Sequence, residues 1–82
     1  MSEDYYKGVF AAYLGAKFIS GPVSEWQINA LKESISHYCE AMIEHSQQSY
    51  MKKEEQKRQM KLSLEGYIKG VKDEMKATGR MK

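Results

Sequence analysis

The side chains best suited to chemistry in this sequence lie close together in its middle. Cys39 is a potential nucleophile beside His37, and His37, Glu40, Glu44 and His45 are potential metal ligands. His37 and Cys39 are two residues apart, so on a helix they point in different directions. The histidines are eight residues apart, and no second cysteine completes a zinc-binding pattern. The spacing therefore favours neither chemistry, and we expect Cys39 to be a small core residue.

No nucleotide-binding or acid–base motif accompanies these side chains. The segment GAKFISG at 15–21 lacks the Gly-Lys-Ser/Thr ending of a phosphate-binding loop. Glu33, Glu40 and Glu44 lack the basic or aromatic setting that marks a catalytic carboxylate pair. We therefore predict that the protein is not an enzyme and that it uses no metal and no other cofactor.

Length and cysteine content restrict the setting in which this chain folds. Its 82 residues suffice for a single helical domain, residues 1–82, whose core contributes only about 3–5 kcal/mol unless something reinforces it. The lone Cys39 excludes an internal disulfide and suits a reducing compartment. The first residues, MSEDYYKG, are acidic where a signal peptide is basic, and the nearly apolar run at 9–19 is too short to cross a membrane. We expect a cytoplasmic protein with no membrane partner.

The sequence predicts an all-α chain. Its single proline and its many good helix formers favour helix throughout. We expect a short first helix at about 2–18, capped by Ser2 and ended by a turn at Gly21 and Pro22. A second helix at about 25–45 should begin at a capping box, Ser24 with Gln27.

A third helix is expected at about 50–77, ended by Gly79 and followed by a frayed terminus at 80–82. Residues 46–59 form either a continuous, bent helix with the second or a loop. Spacings of three and four along both helices predict apolar stripes with coiled-coil character. The stripes are Ile28, Leu31, Ile35, Tyr38 and Met42 in the second helix and Met60, Leu64, Tyr67, Val71 and Met75 in the third, with Ile68 at its edge.

The first helix presents two different faces. A bulky face contains Tyr6, Val9, Phe10 and Tyr13, and a second face contains only the small residues Gly8, Ala11, Ala12 and Gly15. Glycine inside a helix costs roughly 1 kcal/mol against alanine, so we expect a neighbouring helix of the same fold to pack closely on the small face. A helix that is apolar on both sides must also be covered on both sides. This favours a helical-bundle or coiled-coil-like homo-oligomer, with a dimer the preferred state.

Charge divides the chain into opposite halves. Residues 1–50 have a net charge of −3 and residues 51–82 a net charge of +5. Either the basic half binds nucleic acid, or the acidic second helix pairs with the basic third helix in antiparallel fashion. Glu54 and Glu55 interrupt the basic segment 52–61, which makes nucleic-acid binding the lesser alternative.

Aromatic content directs the functional prediction. Six tyrosines, two phenylalanines and one tryptophan favour a protein-binding module, such as a small inhibitor, adaptor or regulator of the kind that phages and mobile elements encode. Trp26 either packs on the first helix or contacts the partner. The alternatives are a nucleic-acid-associated protein and a structural oligomer subunit. The residues expected to contact the partner protein are Tyr6, Phe10, Tyr13 and Trp26, with Lys57, Arg58 and Lys61 as a charged rim.

Overall fold

The computed structural model describes residues 3–17, 21–46 and 52–81, and within them the protein is all-α. Helix α1 spans Glu3–Lys17, α2 spans Glu25–Glu44 and α3 spans Lys53–Ala77. The all-α prediction is confirmed. The second and third helices are separate rather than continuous, because α2 ends at Glu44 and α3 begins only at Lys53. The predicted cap at Ser2 lies outside the described residues.

Helix α2 begins where the sequence predicts. Ser24 is the N-cap residue, with extended backbone angles, and its N–H donates a hydrogen bond to Gln27 Oε1 at 2.8 Å. Val23 before the cap and Ile28 after it are both buried, as a hydrophobic staple requires. Gly21 has a φ of +104°, a backbone conformation that glycine adopts at little cost.

The end of α3 is more ordered than predicted. Gly79 ends the helix with a φ of +74°, and the Arg80 N–H donates to the Met75 carbonyl at 2.8 Å. The prediction that 80–82 fray is wrong for Arg80 and Met81. The Val23 N–H donates to the Arg80 carbonyl at 3.0 Å, so the chain after α3 is tied to the segment before α2. Lys82 lies outside the described residues.

The core is built from rows of residues spaced mainly four apart, the spacing of the ridges that interlock when helices pack. In α2 this replaces the predicted Tyr38 and Met42 with Cys39 and Ile43, and it confirms Cys39 as a core residue. In α3, Ile68 is buried whereas Tyr67 and Val71 are half-buried. The buried apolar side chains are Tyr6, Phe10 and Leu14 in α1, Val23 before α2, Ile28, Leu31, Ile35, Cys39 and Ile43 in α2, and Met60, Leu64, Ile68 and Met75 in α3.

Helices α2 and α3 run antiparallel, and ion pairs mark their register. Glu44 pairs with Lys57 at 2.8 Å, and Glu40, four residues earlier, pairs with Lys61, four residues later, at 3.5 Å. At the other end, Lys72 Nζ donates to Asn29 Oδ1 at 2.8 Å. The predicted pairing of the acidic and basic halves is therefore confirmed within one chain. Exposed pairs contribute at most about 1 kcal/mol each, so they fix register more than they stabilise the fold.

Candidate functional site

The structure divides the predicted aromatic contact residues between core and surface. Tyr6 and Phe10 are only 2% and 0% exposed, and the Phe10 ring packs on Tyr67 with centroids 5.8 Å apart. Neither ring belongs to the exposed surface, because both lie where α1 packs on its own fold. Trp26 is 69% exposed, so the alternative in which it packs on the first helix is wrong. Tyr13 is half-buried and lies at the junction of α1 and α2.

The predicted charged rim is engaged within the chain. Lys57 pairs with Glu44, and Lys61 pairs with Glu40. The Lys57 hydrogen bond lowers the pKa of the Glu44 carboxyl, and the same bond raises the pKa of Lys57. Arg58 forms an ion pair with Glu55 one turn earlier on α3. These cations therefore already have acidic neighbours, which reduces the positive charge they offer to an external partner.

The small-residue face of α1 is open. Gly8, Ala11, Ala12 and Gly15 are all exposed, and no atom of the described chain lies within 4 Å of a Cβ built on either glycine. The expectation that a helix of the same fold packs on this face is wrong, because α2 and α3 both lie against the opposite side of α1. Gly66 and Gly70 of α3 are likewise exposed.

A groove between α1 and α2 brings together side chains that the sequence stripes did not group. Tyr13 meets Tyr38 with ring centroids 6.2 Å apart. Eight residues back along α1, Tyr5 shares a cavity with Ser46, which lies eight residues further along α2. Antiparallel register therefore sets Val9 opposite Met42. We define the α1/α2 groove as Tyr5, Val9 and Tyr13 of α1 together with Tyr38, Met42 and Ser46 of α2, the residues that this register places along the contact of the two helices.

The six residues that define the α1/α2 groove are all uncharged, in a chain whose residues are 29% charged. Tyr5 and Tyr38 are 41% and 52% exposed, and Val9, Tyr13, Met42 and Ser46 are half-buried. Interface cores are depleted in charge and enriched in tyrosine and methionine. The four-residue spacing of Tyr5, Val9 and Tyr13 is the sequence signal that identifies the α1 side of this groove.

At one end the groove deepens into a cavity of about 290 Å³. Tyr6 and Cys39 are nearly fully buried there, and burial raises the pKa of both the Tyr6 phenol and the Cys39 thiol. A raised thiol pKa disfavours the thiolate that a nucleophile requires. The cavity is lined by Tyr5, Tyr6, Cys39, Met42, Ile43 and Ser46.

The other clefts have mixed charge. One of about 490 Å³ between α2 and α3 contains Lys32, Glu33, Lys61 and Glu65, and one of about 540 Å³ extends from Lys7 of α1 across α3. Across residues 3–17, 21–46 and 52–81, no three His, Cys, Asp or Glu side chains are grouped as metal ligands.

Among the described helices, none has both the length and the apolar character needed to cross a lipid bilayer. Comparison of the chain with protein-family models, with curated proteins and with solved structures finds no match. The α1/α2 groove and the exposed Trp26 are thus the features from which a function can be argued.

Proposed function

We infer that this protein is a non-enzymatic binding module whose α1/α2 groove holds a surface of another protein. The observation that carries this proposal is a row of uncharged, partly exposed side chains along the contact of α1 and α2, among them Tyr5 and Tyr38. Leaving aromatic area in water is unfavourable, by roughly 25 cal/mol for each Å² of apolar surface, and a partner would remove it from water. An inhibitor, adaptor or regulator that covers its target acts in this way.

The groove geometry favours an amphipathic helix as the bound element. Two antiparallel helices form its walls, and an apolar helix face fits such a groove through anchors at three- and four-residue spacing. Tyr13 and Tyr38 offer ring faces for packing and hydroxyl groups for hydrogen bonds at the rim. Trp26 provides a second exposed contact at the start of α2.

A matched pair of substitutions tests this proposal. Tyr38→Lys places a charge in the groove, and Leu62→Lys places the same charge on α3, where Leu62 is 63% exposed. We expect a tagged protein to recover one partner from host lysate in near-stoichiometric amount, with or without nuclease. The Tyr38→Lys variant should lose it and the Leu62→Lys variant should retain it, with equal helicity by circular dichroism. Equal recovery by both variants would refute the groove as the binding surface.

Self-association remains part of the proposal because the small-residue face of α1 is open. Helices with glycine and alanine at their contact approach each other closely, and Gly8, Ala12 and Gly15 give one side of α1 that property. A second copy of the chain is the occupant we favour. Light scattering should give a dimer mass for the native chain and a monomer mass for Ala12→Lys. A monomeric native chain at micromolar concentration would exclude the dimer.

Nucleic-acid binding stays the second proposal. Its sequence support was the basic half, but Lys57, Lys61 and Lys72 are each within 4 Å of a carboxylate of α2. Each such acid subtracts from the positive charge that phosphate binding accumulates. Partners that disappear on nuclease treatment, together with affinity for duplex DNA that falls steeply with salt, would place this proposal first.

A further inference from the structure

Helices α1 and α3 form a second exposed surface of the fold. Both helices run antiparallel to α2, so they are parallel to each other. An open cleft of about 540 Å³ lies along their contact. It is lined by Lys7 of α1 and by Gly66, Tyr67, Gly70, Val71 and Glu74 of α3. We call this cleft, together with the exposed Gly8 and Gly15 of α1, the α1/α3 face.

The α1/α3 face contains every glycine that lies within a described helix: Gly8, Gly15, Gly66 and Gly70. Each of them destabilises its helix relative to alanine, in a fold of a size that has little stability to spare. A Cβ built on any of the four meets no atom of the described chain within 4 Å, so packing inside this chain does not require glycine there. Close approach of another backbone is a physical reason to keep a glycine at such a position.

The two pairs of glycines lie at one height of the bundle. The rings of Phe10 and Tyr67 pack together, so α1 and α3 are level where their residue numbers differ by 57. At that offset, the midpoint between the α1 glycines falls within one residue of the midpoint between the α3 glycines. A single two-fold axis through this height, perpendicular to the helices, would therefore serve both pairs. It would place each helix antiparallel to the same helix of a second copy.

The cleft also has opposite charges at its two ends. Lys7 lies about level with the start of the cleft, and Glu74 lies at its other end, two turns of α3 beyond Gly66. Antiparallel packing of two copies brings the basic end of one cleft to the acidic end of the other, twice by symmetry. Parallel packing brings like ends together. Charge complementarity therefore favours the antiparallel arrangement.

We propose that the α1/α3 face is a self-complementary interface on which a second copy of this chain packs antiparallel. Gly8 then faces Gly15 of the second copy, and Gly66 faces its Gly70. The inference rests on the self-association proposed above, and it extends that contact from α1 to α3 and fixes its orientation. The interface uses none of the six residues that define the α1/α2 groove, so dimerisation and the binding of a protein partner can fail independently.

A lysine placed on α3 tests whether this helix belongs to the interface. Gly70→Lys adds a side chain that meets nothing within its own chain and improves helix propensity, so the variant should fold with at least native helicity. We expect light scattering to give a dimer mass for the native chain and a monomer mass for Gly70→Lys at the same concentration. Ala41→Lys places the same charge at an exposed position of α2 and should remain dimeric, with equal helicity by circular dichroism.

A charge exchange tests the orientation. Lys7→Glu and Glu74→Lys each bring like charges together at two symmetric positions, so each should raise the dissociation constant of the dimer about tenfold. The variant with both substitutions restores opposite charges across the interface and should dissociate nearly as the native dimer does. Sedimentation equilibrium measures the four dissociation constants.

Four outcomes would overturn the inference. A dimer that survives Gly70→Lys but is lost in Ala12→Lys would exclude α3 and leave self-association through α1 standing. Equal dissociation by Ala41→Lys would mean that added charge, and not its place on the α1/α3 face, disrupts the dimer. A double charge variant that is weakened by both single effects together would exclude the antiparallel arrangement. A native chain that is monomeric at micromolar concentration would exclude the interface and the self-association alike, without bearing on the α1/α2 groove.

Discussion

Helix α2 meets α3 along one side and α1 along the other, and the two contacts differ in chemistry. The α2/α3 contact is bordered by Glu44 with Lys57 and Glu40 with Lys61, and its charges find partners within the chain. The α1/α2 contact is bordered by uncharged tyrosines that remain partly exposed, and α1 and α2 touch each other less than either touches α3. The first contact specifies the register of this fold, and the second leaves part of its tyrosine surface exposed.

The largest expected effect comes from removing the ring that ties α1 to α3. Phe10 is fully buried against Tyr67, so Phe10→Ala should lower the free energy of unfolding by about 3–5 kcal/mol. A core of this size provides no more than that, so the variant should be largely unfolded in water. Urea denaturation followed by circular dichroism measures the change. A stable, fully helical variant would mean that α1 is not needed to complete the core, and with it the α1/α2 groove would lose its structural basis.

A smaller change in stability, of opposite sign, is expected from a substitution at Tyr6 of the same helix. Tyr6→Phe removes the unpaired hydroxyl and keeps the ring, so the free energy of unfolding should rise by about 1 kcal/mol. The comparison is made by thermal and urea unfolding without any ligand. A loss of stability would show that the hydroxyl has a partner in the folded protein.

The exposed tryptophan should matter still less for folding. Trp26 is 69% exposed, and surface substitutions of this kind usually change stability by within about 0.5 kcal/mol. Trp26→Ala should therefore keep its helicity and its unfolding midpoint while it weakens binding to the protein partner. Loss of helicity on this substitution would instead assign Trp26 to the core.

The weakest effect is expected along the α2/α3 contact, and it depends on pH. The pKa of Glu44 in the folded chain lies below its ordinary value because of Lys57. Its contribution to stability is therefore present above the unfolded-state pKa, and it is lost as pH falls through the folded-state pKa. Lys57→Met should make the decline in stability on acidification shallower. Identical pH profiles for the two proteins would mean that the pair does not stabilise the fold.

The sequence predicted the helices and their pairing better than it predicted their buried faces. Helix starts and ends followed from Ser24, Gln27 and Gly79, whose local chemistry is specific. The predicted buried face of α2 was wrong at Tyr38. An apolar pattern with a period near 3.6 fits both a coiled-coil stripe and a row of residues spaced four apart. Which of these two faces is buried depends on the helices that pack against α2.

The candidate site was predictable in kind but not in place. Tyrosine content indicated an interface, yet Tyr6 and Phe10 turned out to be buried and Tyr5 and Tyr38 exposed. A helical wheel ranks faces by polarity, and tyrosine suits either a core or a rim. To predict the cavity, one must know which residues of α1 lie opposite which residues of α2. The spacing of residues within a single helix does not give that information.

The bond between the Arg80 segment and the start of α2 has a consequence for the order of folding. The α2/α3 hairpin joins residues such as Glu44 and Lys57 that are only 13 apart in sequence, whereas Arg80 reaches the Gly21 carbonyl across 59 residues. Closing the short loop costs less entropy, so we expect the hairpin to form first and the connection to Gly21 to form late. Residues 21–23 are thus held in place only when the last turn of α3 is complete, and we expect docking of α1 to be a late kinetic step.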